Sequence, residues 1–364
     1  MEAAPKLTSG DLESLLVLSR TPGIRMTGLR VFFEAGKTPA EILAWVESGA
    51  NPVWRASLEL TRRIFHPEKE IEQTEKLGIE IIPWGSEKYP VLLRETVDPP
   101  LVLYVKGNLE DADQASVALV GSRHPSIYGK EQSRRFSEEL ANWGLTIVSG
   151  FARGVDRSSH EGALSVSHGR TLAVLGSGLD IIYPKEHQFL YEEIAERGAL
   201  ISEFALGAAP LPENFPKRNR IIAGLTLGTV VIEAHSRSGS LITARLAAEE
   251  GREVFALPGR VDQWGSRGTH RLIKEGALLV ESPEEVFENI APQLWPLVSI
   301  VSRGESFNEE ERGVLNLFQQ KSLTLDQTAK ETKRPISLVA SLLTRLELKR
   351  AVRKRPDGQF ERVR

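Results

Sequence analysis

The chain has 364 residues, of which 41% are hydrophobic, and its formal net charge is −3 at pH 7. This length allows two or three domains with a sizeable core, and the slightly negative charge excludes a wholly basic polyanion binder, so any affinity for a polyanion must be local. The absence of cysteine excludes disulfides and thiolate metal sites, and the seven histidines are scattered without a paired spacing, so no metal site is expected. The N-terminus lacks the pattern of a signal peptide and no apolar run reaches about 18 residues, so we expect a soluble cytoplasmic protein with no membrane contact.

Residues 1–75 are predicted to form a small helical domain. Apolar spacing indicates helices over Leu12 to Leu18 and Met26 to Phe33, joined by the turn Thr21-Pro22-Gly23. The pair resembles a helix-hairpin-helix, or SAM-like, unit that binds a phosphate through backbone amides, but Arg25 stands where the second glycine should be. DNA contact and plain helical packing are both open here.

Residues 76–290 are predicted to form an α/β domain with an extended Rossmann-like, doubly wound and mostly parallel sheet. Strand signals and four prolines over Gly78 to Gly107 suit a lead-in to the sheet. Apolar runs then end repeatedly in glycine- and serine-rich turns that open helices. These runs read SVALVGSR, LTIVSGFARG, RTLAVLGSGLD, GTVVIEAHSRSGS and REVFALPGR. Such strands are too apolar to face water on either side, which is typical of a parallel sheet covered by helices on both faces.

The turns that follow these strands are predicted to meet in one crevice, because the carboxyl ends of parallel strands lie at the same edge of a sheet. Ser-Gly turns present unhindered backbone N–H groups, and helix N-termini add partial positive charge, so the crevice can receive anions. The alternative is that the glycines only permit tight strand-to-helix turns. The candidate anion-binding residues in these turns are Gly121, Ser122, Arg123, Gly150, Arg153, Gly239 and Ser240.

The turn Gly176-Ser177-Gly178 resembles the start of a dinucleotide-binding fingerprint. It is followed by LDIIYP, without the third glycine that opens a helix beneath a pyrophosphate. We therefore expect no nicotinamide or flavin, and no other cofactor.

The segment NFPKRNR places three cations and an amide beside an aromatic residue at the start of a predicted helix. Cations are disfavoured at a helix N-terminus unless an anion is received there. Phe215 can stack on an unpaired base, an interaction that contributes about 1–3 kcal/mol per base in single-strand binders. The alternative is a buried Phe215, with Arg218 paired to Glu203 or Glu233. The candidate single-strand contacts in this segment are Phe215, Lys217, Arg218, Asn219 and Arg220.

The composition changes towards the C-terminus. Residues 291–305 are predicted to be a proline- and serine-punctuated linker. Residues 306–364 show three helical patterns and a hairpin signal at Pro356-Asp357-Gly358, which is a winged-helix outline. Residues 341–364 contain eight Lys or Arg against three acidic residues, so contact with duplex DNA and docking of a protein are both open.

Six sequence blocks together resemble the DprA (Smf, DNA-processing protein A) family. In chain order they are VGSRHPSIYG, SGFARGVD, GSGLDIIYP, FPKRNRIIAGL, SGSLITARLAAEEGREVFALPG and GTHRLIKEGA. The resemblance implies a non-enzymatic protein that binds single-stranded DNA without marked sequence preference and loads the RecA recombinase during natural transformation and recombination. By position it assigns Gly121 to Arg123 to the first anion turn and Phe215 to Arg220 to the basic loop.

The family resemblance also implies a homodimer joined through His270, Ile273 and Leu279. A physical argument points the same way, because Leu272 and Ile273 are neighbours on a helix and cannot easily face the same core. The last helix and strand of the domain are expected at the sheet edge, where a two-fold contact would cover the exposed strand. The alternative is a monomer in which Ile273 packs under the linker.

The alternative function is a nucleotide phosphoribohydrolase, an enzyme class with a related fold and a PGGxGTxxE loop whose glutamate performs acid/base work. The corresponding turn here reads SGSLIT, with no carboxylate before Glu249. A hydrolase without its general base would be severely impaired, so the sequence favours a binding protein and no catalytic residue is assigned.

Overall fold

The computed structural model describes residues 8–294, 309–318, 321–348, 351–355 and 358–362. Five helices open the chain. They are α1 (Ser9–Arg20), α2 (Met26–Glu34), α3 (Pro39–Glu47), α4 (Pro52–Ile64) and α5 (Pro67–Lys76).

Local sequence explains where the first helices begin. Thr8 caps α1 through a reciprocal capping box with Asp11, and Thr38 does the same for α3 with Glu41. Gly23 takes a φ of +86° in the turn before α2, where a residue with a Cβ would be strained. Helices therefore occupy this segment from Ser9 to Lys76.

The N-terminal helices are not a separate body. Leu15, Leu18 and Leu29 belong to one buried cluster with Tyr104 and Leu200 of the sheet. Within the same contact region, Arg20 donates a hydrogen bond of 3.0 Å to the Tyr104 hydroxyl. The helical unit thus shares a hydrophobic core with the α/β domain, and the expectation that it stands apart is not met.

Nine strands of the α/β domain form one sheet in the order β1-β2-β6-β5-β4-β3-β7-β8-β9. In this spatial order, every neighbouring pair of strands from β6 across to β9 is parallel. Strand β2 pairs antiparallel with both of its neighbours, β1 and β6. The strands are β1 (Ile79–Pro83), β2 (Val102–Gly107), β3 (Ser116–Val120), β4 (Thr146–Ser149), β5 (Thr171–Val174), β6 (Ala199–Ser202), β7 (Gly228–Val231), β8 (Glu253–Ala256) and β9 (Leu278–Leu279).

Eight helices belong to the same domain: α6 (Val91–Arg94), α7 (Ile127–Asn142), α8 (Val155–Ser165), α9 (Gln188–Arg197), α10 (Asn214–Gly224), α11 (Ser240–Glu249), α12 (Arg267–Lys274) and α13 (Pro283–Leu294). The continuation of α13 through Leu294 corrects the predicted start of the linker at residue 291. The predicted linker residues from 295 onward lie outside the described residues.

Alternate residues of the central strands serve two different cores. Val117 and Leu119 of β3 pack in a cluster with Phe136 of α7, whereas Ala118 packs in another cluster with Ile221 of α10. Since successive side chains of a strand point to opposite faces, a strand that is apolar at every position must be covered on both sides. The sheet is doubly wound, as the sequence predicts.

The C-terminal unit has its own core, in which Leu342, Leu346 and Phe360 are buried. Its elements are α14 (Glu309–Leu317), α15 (Leu325–Thr332), α16 (Ile336–Leu348), β10 (Val352–Lys354) and β11 (Phe360–Arg362). The two strands pair antiparallel, and Leu323 makes an isolated bridge to Phe360. Three helices followed by a strand pair confirm the winged-helix prediction; the central residues of the predicted turn, 356 and 357, lie outside the described residues.

Candidate nucleic-acid interface

A crevice lies at the carboxyl ends of β5, β4, β3 and β7, where four glycine- and serine-rich turns meet. The winding of the chain changes direction between β3 and β7, and ligands of doubly wound sheets bind at such a switch point. A shallow cavity of about 20 Å³ in this crevice brings together four of the predicted residues. They are Arg123, Gly150, Arg153 and Phe215.

Phe215 is the aromatic centre of this cavity. The guanidinium carbon of Arg123 lies 5.0 Å from the centroid of the ring, and the ring of Tyr183 lies 6.0 Å away at a tilted angle. Arg123 and Tyr183 are both exposed, and Phe215 is half-buried. An arginine over an aromatic face makes a favourable cation–π contact and keeps the cation next to a surface on which a base can stack.

Gly150 and Gly154 are required by close approaches in the turn after β4. A Cβ added at Gly150 would lie 2.4 Å from Nη1 of Arg218 and 2.6 Å from Oδ2 of Asp156. Gly154 takes a φ of +79°, and a Cβ there would lie 2.4 Å from the carbonyl oxygen of Ser122. These glycines therefore serve packing around the crevice as well as exposing backbone amides.

Arg218 is buried, which corrects the prediction that its charge faces a phosphate. Only 3% of the residue is exposed, and its Nη1 donates hydrogen bonds to the carbonyl oxygens of Gly150 and Val174. Burial lowers the pKa of Arg218 to about 10, against the opposing effect of the neighbouring Asp156 carboxylate. Arg218 is thus a cation at neutral pH that ties the ends of β4 and β5 together beneath the crevice floor.

Arg220 and Asn219 also have internal partners. Arg220 forms an ion pair with Glu203 and donates a hydrogen bond of 2.8 Å to the carbonyl oxygen of Asp98. Burial raises the pKa of Glu203, although the charge of Arg220 acts in the opposite direction. The Asn219 side chain donates to the carbonyl oxygen of Gly239 at 3.3 Å and so connects α10 to the turn before α11. The sequence analysis offered an alternative in which Arg218 pairs with Glu203 or Glu233. Glu203 does pair with an arginine, but that arginine is Arg220.

Lys217 is exposed and makes no ion pair with any described residue. It does not line the cavity around Phe215. It lines a separate cavity of about 470 Å³ between the N-terminal helices and the sheet, together with Arg25 and Asp98. Arg25, at the hairpin position where a glycine was expected, is turned towards Asp98 in an ion pair of 2.9 Å.

The remaining predicted turn residues lie at the crevice, each with a defined neighbour. Ser122 donates its backbone N–H to the carbonyl oxygen of Glu233 at 2.7 Å. Arg153 is exposed and paired with Glu186 at 2.5 Å, and the hydrogen bond from Arg153 lowers the pKa of that carboxyl. Gly239 has no atom within 4 Å of a built Cβ, so its backbone is approachable, and Ser240 begins α11 behind it.

Sequence reasoning missed Tyr183 and misread Gly176. A Cβ at Gly176 would lie 3.0 Å from Cδ1 of Phe215, so this glycine makes room for the aromatic ring. The signal was present in the block GSGLDIIYP, which carries both residues and belongs to the six blocks of the family resemblance, but neither residue was assigned a role in it. Both residues line the cavity around Phe215.

Glu233 and Glu203, the two carboxylates that could serve an enzyme at this site, both have partners within the protein. Glu233 accepts hydrogen bonds from the backbone N–H and, at 2.6 Å, from the hydroxyl of Ser126, the N-cap residue of α7. Glu203 is paired with Arg220. Across the described residues, no group of three His, Asp or Glu side chains is placed to hold a metal ion. In the same part of the chain, no helix has the length and apolarity needed to cross a bilayer.

The predicted dimer residues lie at the β9 edge of the sheet. Leu279 is 48% exposed, and Nε2 of His270 lies 2.9 Å from the carbonyl oxygen of Gly259. Leu272 packs against a core cluster, whereas its neighbour Ile273 is half-buried and belongs to none of the four clusters. The two residues do face different surroundings, as the sequence argument requires.

The doubly wound sheet, its crevice and the three-helix unit with a wing define an extended Rossmann-like protein with a winged-helix tail. Residues 80–291 match the family model described as DNA recombination-mediator protein A, and residues 304–358 match the DprA winged helix domain. The chain belongs to the DNA recombination-mediator protein A (DprA/Smf) family.

Two relatives show how far the similarity extends. The protein Smf of Escherichia coli is 50% identical over 234 residues, which cover 63% of this chain and 62% of that protein. The protein Smf of Synechocystis is 33% identical over 337 residues, covering 83% of this chain and 84% of that protein. The match thus spans about three fifths of the first relative and most of the second.

Two solved structures have the same fold. The X-ray structure of DNA processing protein A from Streptococcus pneumoniae superposes with a TM-score of 0.65 and 34% identity, covering 78% of this chain and 98% of that chain. DNA processing protein A from Helicobacter pylori, whose structure concerns its single-stranded DNA binding mode, superposes with a TM-score of 0.53 and 31% identity, covering 59% of this chain and 96% of that chain.

Proposed function

We propose that this protein binds single-stranded DNA in the crevice, without sequence preference, and loads the RecA recombinase onto the bound strand in the cytoplasm during natural transformation and recombination. The observation that carries the proposal is the pairing of Arg123 with Phe215 above glycine turns. A cation for the phosphate beside an aromatic face for the base is the combination by which single-strand binders hold a nucleotide unit irrespective of its sequence. The single-strand binding of the related Helicobacter pylori protein supports the same function.

In this proposal, exposed residues contact the DNA and buried residues support them. Arg123 and the backbone of Gly239 are open to a phosphate, Phe215 is open to a base, and Lys217 adds a charge on the opposite side of the α10 N-terminus. Arg218, Asn219 and Gly150 support these groups from below. Ser122, Arg153 and Ser240 complete the proposed set as neighbours that shape the crevice, and Arg220 lies beside Lys217 in the cavity between the N-terminal helices and the sheet.

We further propose a homodimer formed through His270, Ile273 and Leu279. The exposed apolar edge strand β9 supports it, because Leu278 and Leu279 are 39% and 48% exposed on a strand with one unpaired edge. A dimer doubles the number of crevices on one particle, which raises avidity for a long strand. The winged-helix unit would add a contact with duplex DNA or with a protein.

An electrophoretic mobility or fluorescence anisotropy titration with matched single- and double-stranded oligonucleotides tests the central proposal. We expect the single strand to bind more tightly, with an affinity that falls as salt rises because phosphate binding releases counterions. Arg123→Ala should weaken binding to all sequences alike and reduce the salt slope by about 0.7, the value for one phosphate contact of a single strand. Equal affinity for both DNA forms, or an unchanged salt slope in Arg123→Ala, would refute this use of the crevice.

RecA loading needs its own assay. We expect the protein to speed the onset of single-strand-dependent ATP hydrolysis by RecA on DNA already coated with a single-strand-binding protein. If the onset is the same with and without the protein while strand binding is intact, the loading role fails and the binding role stands. The hydrolase alternative has no supporting observation, because the described turn before α11 has no carboxylate and Glu203 and Glu233 are both engaged.

A further inference from the structure

A second aromatic surface lies beyond the crevice, in the loop that follows β8. The indole ring of Trp264 stacks on the imidazole of His235 with a centroid distance of 4.3 Å and an angle of 9° between the planes. Trp264 is 61% exposed, so the ring has a covered face against His235 and a large surface open to solvent. An exposed aromatic ring that is held flat by a second ring has the geometry of a stacking platform.

The platform is held in place by the chain around it. The His235 Nδ1 accepts a hydrogen bond of 3.1 Å from the backbone N–H of Arg237, which sets the orientation of the imidazole. A Cβ at Gly265 would lie 2.8 Å from Oε1 of Glu233, and the backbone N–H of Gly268 donates to the carbonyl oxygen of Ala234 at 2.7 Å. The loop of Trp264 is therefore pressed against the segment that leaves β7.

The same segment joins the platform to the crevice. The carbonyl oxygen of Glu233 accepts the backbone N–H of Ser122, in the predicted anion turn after β3. Phe215 and Tyr183 lie on the other side of that turn, by the end of β5. Phe215 contacts Arg123 in the turn after β3, and Trp264 contacts His235 in the turn after β7, so the two aromatic surfaces lie against the turns of two adjacent strands.

The charges around Trp264 favour a polyanion. Arg237 and Arg267 are exposed and make no ion pair with a described residue. Among the acidic neighbours, Asp262 is paired with Arg260 at 2.8 Å, and Glu233 accepts hydrogen bonds from Ser126. An aromatic platform flanked by arginines that have no ion pair with a described residue can take a nucleic-acid base on the ring and its phosphate on the cations.

We propose that Trp264, supported by His235, is a second base-stacking site for single-stranded DNA, and that the strand runs along the sheet edge from Phe215 past Ser122 to this platform. Arg237 and Arg267 contact the phosphates beside the stacked base. The inference rests on the proposed function and adds a direction and a length to the bound strand.

The test compares Trp264→Ala with wild type in the full-length protein, on oligothymidylates of about 4 and about 12 nucleotides. Loss of one stacked base should weaken binding of the longer strand about five- to tenfold and leave the shorter strand nearly unchanged, because the shorter one is held within the crevice. Trp264→Phe keeps a ring and should restore most of the affinity. Val261→Ala is the matched control, because this neighbouring apolar residue is 86% exposed and has no ring.

Fluorescence gives an independent readout. Stacking of a base on an exposed indole should quench tryptophan emission when the 12-nucleotide strand is added, and the quench should be lost in Trp264→Phe although five of the six tryptophans remain. Arg237→Ala combined with Arg267→Ala should lower the salt slope, whereas Trp264→Ala should leave the slope intact.

The outcomes separate this inference from the function on which it rests. If wild type binds no single strand, the proposed function fails. If wild type binds and Phe215→Ala weakens binding but Trp264→Ala binds the longer strand like wild type, this inference alone is overturned. It is also overturned if Trp264→Ala changes the oligomeric state in light scattering without changing affinity, since the platform would then be a protein interface.

Discussion

Replacing Arg218 by alanine should destabilise the fold and affect DNA binding little through lost charge. Arg218 is 3% exposed, donates to the carbonyl oxygens of Gly150 and Val174, and lies beside the buried Asp156. Removing one partner of a buried charged pair costs about 3–5 kcal/mol, because the remaining charge is left without compensation. In a domain of this size, about 1 kcal/mol corresponds to a shift in melting temperature of about 2–4 °C. We therefore expect the melting temperature to fall by roughly 6–20 °C.

Thermal unfolding followed by circular dichroism measures this loss, and Lys217→Ala is the matched control. Lys217 precedes Arg218 in the same helix, carries the same charge, and is exposed without an ion pair to a described residue. Its replacement should change stability by no more than about 0.5 kcal/mol. The reasoning is refuted if Arg218→Ala melts within about 2 °C of wild type and yet loses single-strand affinity, because Arg218 would then contact DNA directly.

The same variant has a pH signature. Burial raises the pKa of Asp156 above its ordinary value, and the charge of Arg218 opposes that rise. A carboxyl with a raised folded-state pKa destabilises the fold when it is ionised, so the contribution of Asp156 to stability becomes more favourable as the pH falls through its raised pKa towards 3.8. In Arg218→Ala the ionised form of Asp156 destabilises the fold further, because the compensating positive charge is gone. The deficit of Arg218→Ala should therefore shrink on acidification, and a deficit that stays constant with pH would argue against a coupling of the two groups.

Four further predictions follow from other parts of the structure. Phe215→Ala should weaken single-strand binding by about 1–3 kcal/mol without changing the salt slope, and a lower melting temperature with unchanged affinity would instead mark Phe215 as a packing residue. Gly150→Ala should cost about 1–3 kcal/mol of stability because its Cβ meets Arg218 and Asp156, whereas Gly239→Ala, with no atom within 4 Å, should not. Ile273→Glu should give a folded monomer in light scattering, with weakened binding to long strands and little change on short ones; a dimeric variant would place the interface elsewhere. Burial lowers the pKa of His160 to about 3, so the contribution of His160 to stability should be lost as the pH falls from about 6.5 towards 3, by up to about 1.36 kcal/mol per pH unit. In acid titrations followed by circular dichroism, His160→Gln should therefore lose stability less steeply than wild type.

The sequence by itself determined the architecture, because the architecture depends on local patterns. Strands that are apolar at every position, such as β3, must lie in a parallel sheet covered on both faces, and glycine turns after them mark the crevice. The family followed from six ordered blocks, and the winged helix from three amphipathic patterns and a hairpin signal. The cation count of NFPKRNR was equally readable, and it correctly drew attention to the N-terminus of α10.

Only the tertiary structure decided what each of those cations does. Successive side chains of a helix point about 100° apart, so Arg218 is buried under β4 and β5 while its neighbour Lys217 is exposed. Lys217 and Arg220, three positions apart, both line the cavity between the N-terminal helices and the sheet, where Arg220 is paired with Glu203. The partners of a buried charge come from distant strands and loops, and no local pattern in the sequence names them. For the same reason, two other contacts became visible only when the strands of the sheet were placed side by side. Gly176 makes room for the ring of Phe215, and Trp264 stacks on His235.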